Sequence, residues 1–213
     1  MDLIEESAAL SDLMWRVYHH VRDGGADMSE GGASVAEATY LRDLATRHRA
    51  GLVFEIGFNL GFSAIAFLES GPDTRVVSFE LDDRPSVLLA KQFVDERYPG
   101  RHELVLGDSL STVTAFAADR PERADLIFVD GGHDYEVAAA DLRNARAVTR
   151  PGGHVVIDDL VPWYPWGVGP TRAWTEAADT GLLVVDESYV DGRRVARIEA
   201  PGDRAWSAGR FLA

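Results

Sequence analysis

Cysteine is absent from the chain, which excludes disulfides, thiolate metal sites and cysteine nucleophiles together. Lysine is almost absent. The single one, Lys91, sits in an expected helix, so there is no Gly-Lys-Ser/Thr phosphate loop and no Ser–Lys pair. No apolar run approaches the roughly 18 residues that a membrane helix needs. The first residues, Met1 to Glu6, are acidic and lack a basic stretch followed by an apolar one, so no secretory signal is expected. Basic charge is scarce as well. The net charge is −14, with no cluster of Lys and Arg to meet phosphates, which argues against nucleic acid as a partner. A cytoplasmic protein without membrane contact is the expectation.

From Val53 onward, short β-rich runs alternate with helical patterns, the signature of a parallel sheet with crossover helices. The strands read from the sequence are Leu52–Ile56, Arg75–Glu80, Glu103–Leu106, Ala124–Asp130 and His154–Asp158. They are near-continuous apolar runs, as when helices cover both faces. Between them, helices are expected near Gly61–Glu69, Pro85–Arg97, Ser109–Ala118 and Tyr135–Val148, with Gly71-Pro72 and Pro151-Gly152 as stop signals. Two further strands, Leu182–Tyr189 and Arg193–Glu199, meet across Val190-Asp191-Gly192, where Asp-Gly favours a tight hairpin. Ahead of the sheet come a helix near Leu3–Val21, a Gly-rich stretch from Asp23 to Gly32 and a helix near Val35–His48.

The expected architecture is therefore α/β: a single doubly wound Rossmann-like domain whose mostly parallel seven-stranded sheet ends in an antiparallel hairpin. Residues 1–50 would be N-terminal helices serving as a cap or dimer contact, 51–200 the ligand-binding core, and 201–213 a short tail. A homodimer through the first helix and the tail is one expected assembly.

The turn after the first strand reads Phe54-Glu55-Ile56-Gly57-Phe58-Asn59-Leu60-Gly61-Phe62-Ser63. Gly57 allows close approach of backbone to a ligand, and the helix start behind it presents oriented N–H groups. The dinucleotide pattern G-x-G-x-x-G is not met, because Asn59 and Phe62 stand where it needs glycine. The second strand ends in Glu80-Leu81-Asp82, with Glu80 placed to accept two ribose hydroxyls. The third runs into Gly107-Asp108-Ser109. Three successive strands thus deliver Glu55–Gly61, Glu80 and Asp108 to one edge. Glu80 and Asp108 could also serve simply as caps of the next helices.

A second group of carboxylates ends the next two strands. Val129-Asp130-Gly131-Gly132-His133 closes one, and Ile157-Asp158-Asp159 the other. Adjacent parallel strands place Asp130 and Asp158 side by side. Asp159 can join them only where the chain bends out of the strand, because successive strand residues point to opposite faces. Converging carboxylates repel unless protonated or met by a cation, and an oxygen-only set suits Mg²⁺.

On these motifs, from about Glu37 to Glu199, the chain resembles the class I S-adenosylmethionine-dependent methyltransferases. More narrowly, it is similar to the catechol and caffeoyl-CoA O-methyltransferase group. The resemblance implies S-adenosylmethionine as cofactor, held by Glu55, Gly57, Phe58, Asn59, Gly61, Ser63, Glu80, Leu81, Asp108, Ser109 and Asp130. Gly57 to Gly61 would cradle the methionine end, Glu80 the ribose, and Asp108 with Ser109 the adenine. It implies Mg²⁺ or another divalent ion on Asp130, Asp158 and Asp159, with Asp159 where the group commonly has Asn. The group's catalytic lysine falls at His133. With an ordinary pKa near 6.5, neutral His133 could act as the base, or it could merely pack in the turn or bond to Tyr135 or Asp134. The other five histidines are read as structural.

The segment Leu160–Pro170 carries three aromatics and three prolines, a stiff apolar wall for a small-molecule acceptor, with Trp163 or Trp166 reaching it. The expected reaction is O-methyl transfer to a hydroxyl of a small molecule such as a vicinal diol, catechol or sugar. Three alternatives stay open here: a metal-independent methyltransferase using His133 alone, an S-adenosylmethionine-binding protein of other activity such as a cyclase, and a nicotinamide-dependent reductase. The last is disfavoured because Tyr135 is followed by Ala139, where such reductases have lysine.

Overall fold

Ser7 starts the first helix. Its backbone is extended and its hydroxyl accepts the Leu10 amide, so α1 runs Ala8–Asp23 and begins later than the expected Leu3. The structure is a computed structural model that describes residues 3–28, 31–199 and 201–212. Ser29 and Glu30 of the expected Gly-rich stretch lie outside the described residues, as do the expected domain ends at 1, 200 and 213. None of the helices among the described residues is long and apolar enough to cross a membrane.

By its contacts the chain divides into two compact units, Ile4–Asp108 and the residues from Ser109 on; Leu3 belongs with the second through an isolated bridge to Arg193. In the first unit, Ser34 caps α2 (Val35–His48) by accepting the Glu37 amide. Beyond it come β1 (Leu52–Ile56), α3 (Phe62–Leu68), β2 (Arg75–Glu80), α4 (Pro85–Arg97) and β3 (His102–Leu106). The three strands are parallel in the order β3-β2-β1. β1 is buried along its whole length and β2 along all but its first residue, as their apolar runs require. Pro85 opens α4, where its missing N–H leaves no bond unmade.

The second unit holds α5 (Ser109–Asp119), β4 (Ala124–Val129), α6 (Tyr135–Val148), β5 (Thr149–Ile157), a 3₁₀ turn (Pro165–Gly167), α7 (Val168–Asp179), β6 (Leu183–Val190), β7 (Arg193–Val195) and β8 (Ala205–Phe211). Its strand order is β4-β5-β8-β6-β7, parallel from β4 to β5 and antiparallel beyond. The expected hairpin is present, with Asp191 and Gly192 both at positive φ (47° and 73°) as a tight turn of this kind demands.

Three expectations are corrected. The expected tail after Pro201 contains β8, which lies between β5 and β6, so the sheet has eight strands among the described residues where the sequence suggested seven. Trp206 and Ser207 in it are fully buried. β5 starts at Thr149, five residues before the expected His154. Pro151, Gly152 and Gly153 lie inside the strand, where the pairing with β4 shifts register and Gly152 takes φ 71°. α7 opens with Val168-Gly169-Pro170, inside the segment that the sequence suggested as a stiff loop. Pro170 is tolerated because the first-turn amides of a helix have no partners within it.

Candidate active site

The glycine loop of the first unit is shaped by three residues at positive φ: Gly57 (93°), Asn59 (45°) and Gly61 (69°). Asn tolerates this region better than most side chains, which explains its place at a glycine-like position. Its side-chain amide donates to the Gly31 carbonyl. A Cβ on Gly61 would sit 2.9 Å from the Phe58 ring, so glycine is required there. Glu80, 5% exposed at the end of β2, turns its carboxylate back to this loop: Oε2 accepts the amides of Phe58 (3.0 Å) and Asn59 (2.9 Å). Its Oε1 has only long contacts, to the Asp82 amide (3.4 Å) and Arg84 Nη2 (3.5 Å).

Glu55 is fully buried at the carboxyl end of β1. Burial pushes its carboxyl up to about 8, the Ser78 and Ser63 hydroxyls offset part of this, and the Glu80 charge adds to it. Leu81 is exposed beyond Glu80. Asp108 is exposed beyond Gly107, whose amide donates to the Glu80 carbonyl. Ser109, first residue of α5, has its hydroxyl committed to the buried Asp141 of α6 at 2.7 Å. Asp141 and Ser78 escaped the sequence reading, and His102 was read there as structural. Each lies inside a regular element with no motif around it.

In the second unit, β4 and β5 stop at Val129 and Ile157, leaving Asp130 and Asp158 just past the strand ends. Asp159 takes φ 60°, the bend out of the strand that it needs to join them. Each of the three offers a carboxylate oxygen, all within 4.8 Å of one another. Cis oxygens in an octahedron of about 2.1 Å bonds lie roughly 3 Å apart and trans ones about 4 Å. A small hard cation therefore fits this donor set with little inward movement.

His133, half-exposed on the turn after β4, places Nε2 2.8 Å from Asp159 Oδ2. That hydrogen bond raises its pKa above the usual histidine value; burial works against this, and the charges of Asp159, Asp158 and Asp134 work for it. The turn is held from α7: a Cβ on Gly169 would collide with the His133 carbonyl oxygen, so only glycine lets the helix come this close.

The wall after β5 is built more specifically than its composition suggested. Trp163 donates its indole N–H to the Gly202 carbonyl (2.7 Å). Trp166 is 44% exposed and stacks on Tyr164, with ring centroids 4.5 Å apart and planes 4° from parallel. A groove of about 400 Å³ runs along α7, lined among others by Pro162, Val168, Thr171, Arg172 and Glu176. Arg172 lies over the Tyr135 ring, 3.8 Å from its centroid.

Residues 54–160, half of the chain, match the family described as "Methyltransferase domain", and the chain belongs to it. Among curated proteins, the O-methyltransferase imqG of Aspergillus flavus is 25% identical over 111 residues, 50% of this chain and 44% of that protein. The chain thus spans less than half the length of this curated relative. Among solved structures, the O-methyltransferase TomG of Streptomyces achromogenes, involved in tomaymycin synthesis and solved with S-adenosylmethionine, is 22% identical with a TM-score of 0.75. It covers 99% of this chain and 92% of its own. The O-methyltransferase of Bacillus cereus, solved with S-adenosylhomocysteine, is 19% identical with a TM-score of 0.74, covering 98% and 93%. These likenesses show the fold, α/β and Rossmann-like, with parallel strands giving way to antiparallel ones.

Proposed function

We propose that this chain transfers the methyl group of S-adenosylmethionine to a hydroxyl oxygen of a small molecule bearing two neighbouring oxygens. The Asp130–Asp158–Asp159 cluster, with His133 against it, carries the reading. The cofactor supplies a methyl group on sulfonium, which already has its leaving group, so the protein needs no covalent intermediate. The chain's work is to bind, to align and to take a proton.

Glu80 has Oε1 left for ribose hydroxyls while Oε2 fixes the loop, so the loop contact and the ligand contact coexist on one carboxylate. Gly57 and Gly61 keep the loop backbone open to the methionine end. Asp130, Asp158 and Asp159 would hold a divalent cation, whose chemistry there would be Lewis-acid activation of an acceptor hydroxyl. His133 donates Nε2–H to Asp159 when neutral, which leaves Nδ1 to accept the hydroxyl proton. The groove along α7, beside the turn that carries His133, suits the apolar body of the acceptor.

One observation favours a second reading. Asp159 Oδ2 is already paired with His133, and a His–Asp pair can activate a hydroxyl with no cation at all. The test is product mass spectrometry on a panel of catechols, sugar diols and mono-ols, with and without chelator. Methylated diols that disappear with chelator and return with Mg²⁺ support the metal reading. Full turnover in chelator overturns it in favour of the His–Asp pair.

A further inference from the structure

Beneath the glycine loop runs a line of buried polar groups, in which Glu55, named above among the cofactor-holding residues, is joined by two that have no role so far, Ser78 and His102. Glu55 of β1 and Ser78 of β2 are register partners, and His102 of β3 stands two residues from Leu104, the other partner of Ser78. The three side chains therefore share one face of the strands. Ser78 Oγ lies 2.5 Å from Glu55 Oε1 and 2.7 Å from His102 Nε2. Glu55 and Ser78 are fully buried, and His102 is 8% exposed. The His102 ring in turn stacks on Phe58, centroids 5.0 Å apart and planes within 23°. Phe58 is the loop residue whose amide donates to Glu80. Parallel-sheet interiors are ordinarily filled with branched apolar side chains, and an acid, a hydroxyl and an imidazole cost free energy there. A connected run of them, ending on the loop, points to a positioning role.

We propose that Glu55, Ser78 and His102 are positioning residues, whose hydrogen-bonded run holds the Phe58 ring and the glycine loop in the shape that binds the adenosyl cofactor while the Glu55 carboxyl is neutral. The proposal rests on the cofactor reading above. Ser78 has one proton to give. If Glu55 is ionised, that proton must go to the carboxylate and His102 must donate from Nε2. If Glu55 is neutral, its own proton lets the run point either way. His102 is neutral throughout, because burial holds it down to about 3 and Lys91 adds to this. The charged and titratable groups facing Glu55 are Glu80 from β2 and His102 from β3, while α3 presents the Ser63 hydroxyl. Behind them, Lys91 of α4 acts on His102 and Arg84 on Glu80.

With its carboxyl pushed up to about 8, Glu55 is protonated at neutral pH. Above that, a buried charge forms beside Glu80, the carboxylate that gathers the loop amides, and the loop loosens. The sign for stability comes from a folded-state pKa raised above the ordinary 4.5. Glu55's contribution is full below about 4.5 and is lost as pH rises through about 8.

The experiment is calorimetric titration of S-adenosylhomocysteine into wild type, E55Q and S78A from pH 6 to 9, with melting curves of each protein alone. Between pH 7 and 9 the wild-type Kd should rise about tenfold beyond the ligand's own titration, since the competent fraction falls by that factor. E55Q should show only the ligand's titration, and its Tm should stay flat where that of wild type falls. S78A removes a bond that favours the charged form, so its loss of affinity should move to higher pH, with weaker binding at neutral pH. Identical pH profiles for wild type and E55Q would overturn the proposal and leave the cofactor reading intact. Should E55Q not fold, an S78A profile identical to wild type does the same. If wild type binds no S-adenosylhomocysteine at any pH, the cofactor reading falls, and the proposal with it.

Discussion

In the unit Ile4–Asp108, the two acids at the loop are met by hydrogens: Glu55 by a serine hydroxyl, Glu80 by two backbone amides. In the unit from Ser109 on, three carboxylates crowd within 4.8 Å of one another, and the His133 imidazole meets Asp159. The first arrangement gives its acids donors from the protein itself and buries them almost completely. The second leaves Asp130 and Asp159 partly open to solvent and concentrates charge. Acids of the first kind shape a binding loop. Acids of the second kind are the ones on which the proposed cation would sit.

The sharpest way to break this contrast is Asp158→Ala. It should reduce turnover to the level seen with chelator and abolish stabilisation by Mg²⁺. That stabilisation is about 2.7 kcal/mol for wild type at one hundred times its Kd, read from the shift in melting. S-adenosylhomocysteine affinity should survive, because most of the residues proposed to hold the ligand lie in the first unit. If Asp158→Ala lost that affinity too, the division of labour between the units would be wrong.

Next in size is His133→Ala, expected to lower kcat by about 10²–10⁴-fold, the usual cost of a positioned base. Wild-type kcat should rise with pH through an ionisation above the ordinary histidine value, because Asp159 holds the proton on. The variant should lack that limb, and Asp159→Asn should move it to lower pH. A wild-type kcat in His133→Ala would reduce the residue to packing.

Glu80→Ala tests the other side of the contrast. Two loop amides and the proposed ribose contact are lost together, so S-adenosylhomocysteine binding should weaken by about 1.5–3 kcal/mol, the range for hydrogen bonds to a charged group. Unchanged calorimetric affinity would leave Glu80 with no role at the ligand. The smallest effect is expected from Trp163→Phe. It removes one part-buried hydrogen bond to Gly202 and should cost about 0.5–1.5 kcal/mol in urea unfolding.

Much of this was legible in the sequence because the signals were local. β1, β2, α2, α4 and α6 begin and end where apolar runs, Pro85 and the flanking turns say they should. The glycine loop and the Asp-Gly hairpin carry their conformations in their residue types. β8 was hidden because Ala205–Phe211 gains strand character only from β5 and β6 on either side of it. α7 was hidden because glycine and proline at its start read as loop. Gly169 is there to clear the His133 backbone, which lies far back in the chain. At the site, the aspartates could be placed from strand ends. The His133–Asp159 pair and the Glu55–Ser78–His102 run could not, since each joins elements that no short-range pattern connects.

The position of β8 also bears on how the chain is made. The three strands of the first unit need nothing later than Asp108 to pair with one another. In the second unit, β5 and β6 have no common neighbour until Ala205–Phe211 has been synthesised. At about 5–20 residues per second, that lag is on the order of seconds. During it, the inner edges of β5 and β6 stand open to other strands. A nascent chain stalled between Val195 and Ala205 should therefore bind a chaperone through its second unit while its first is already protease-resistant.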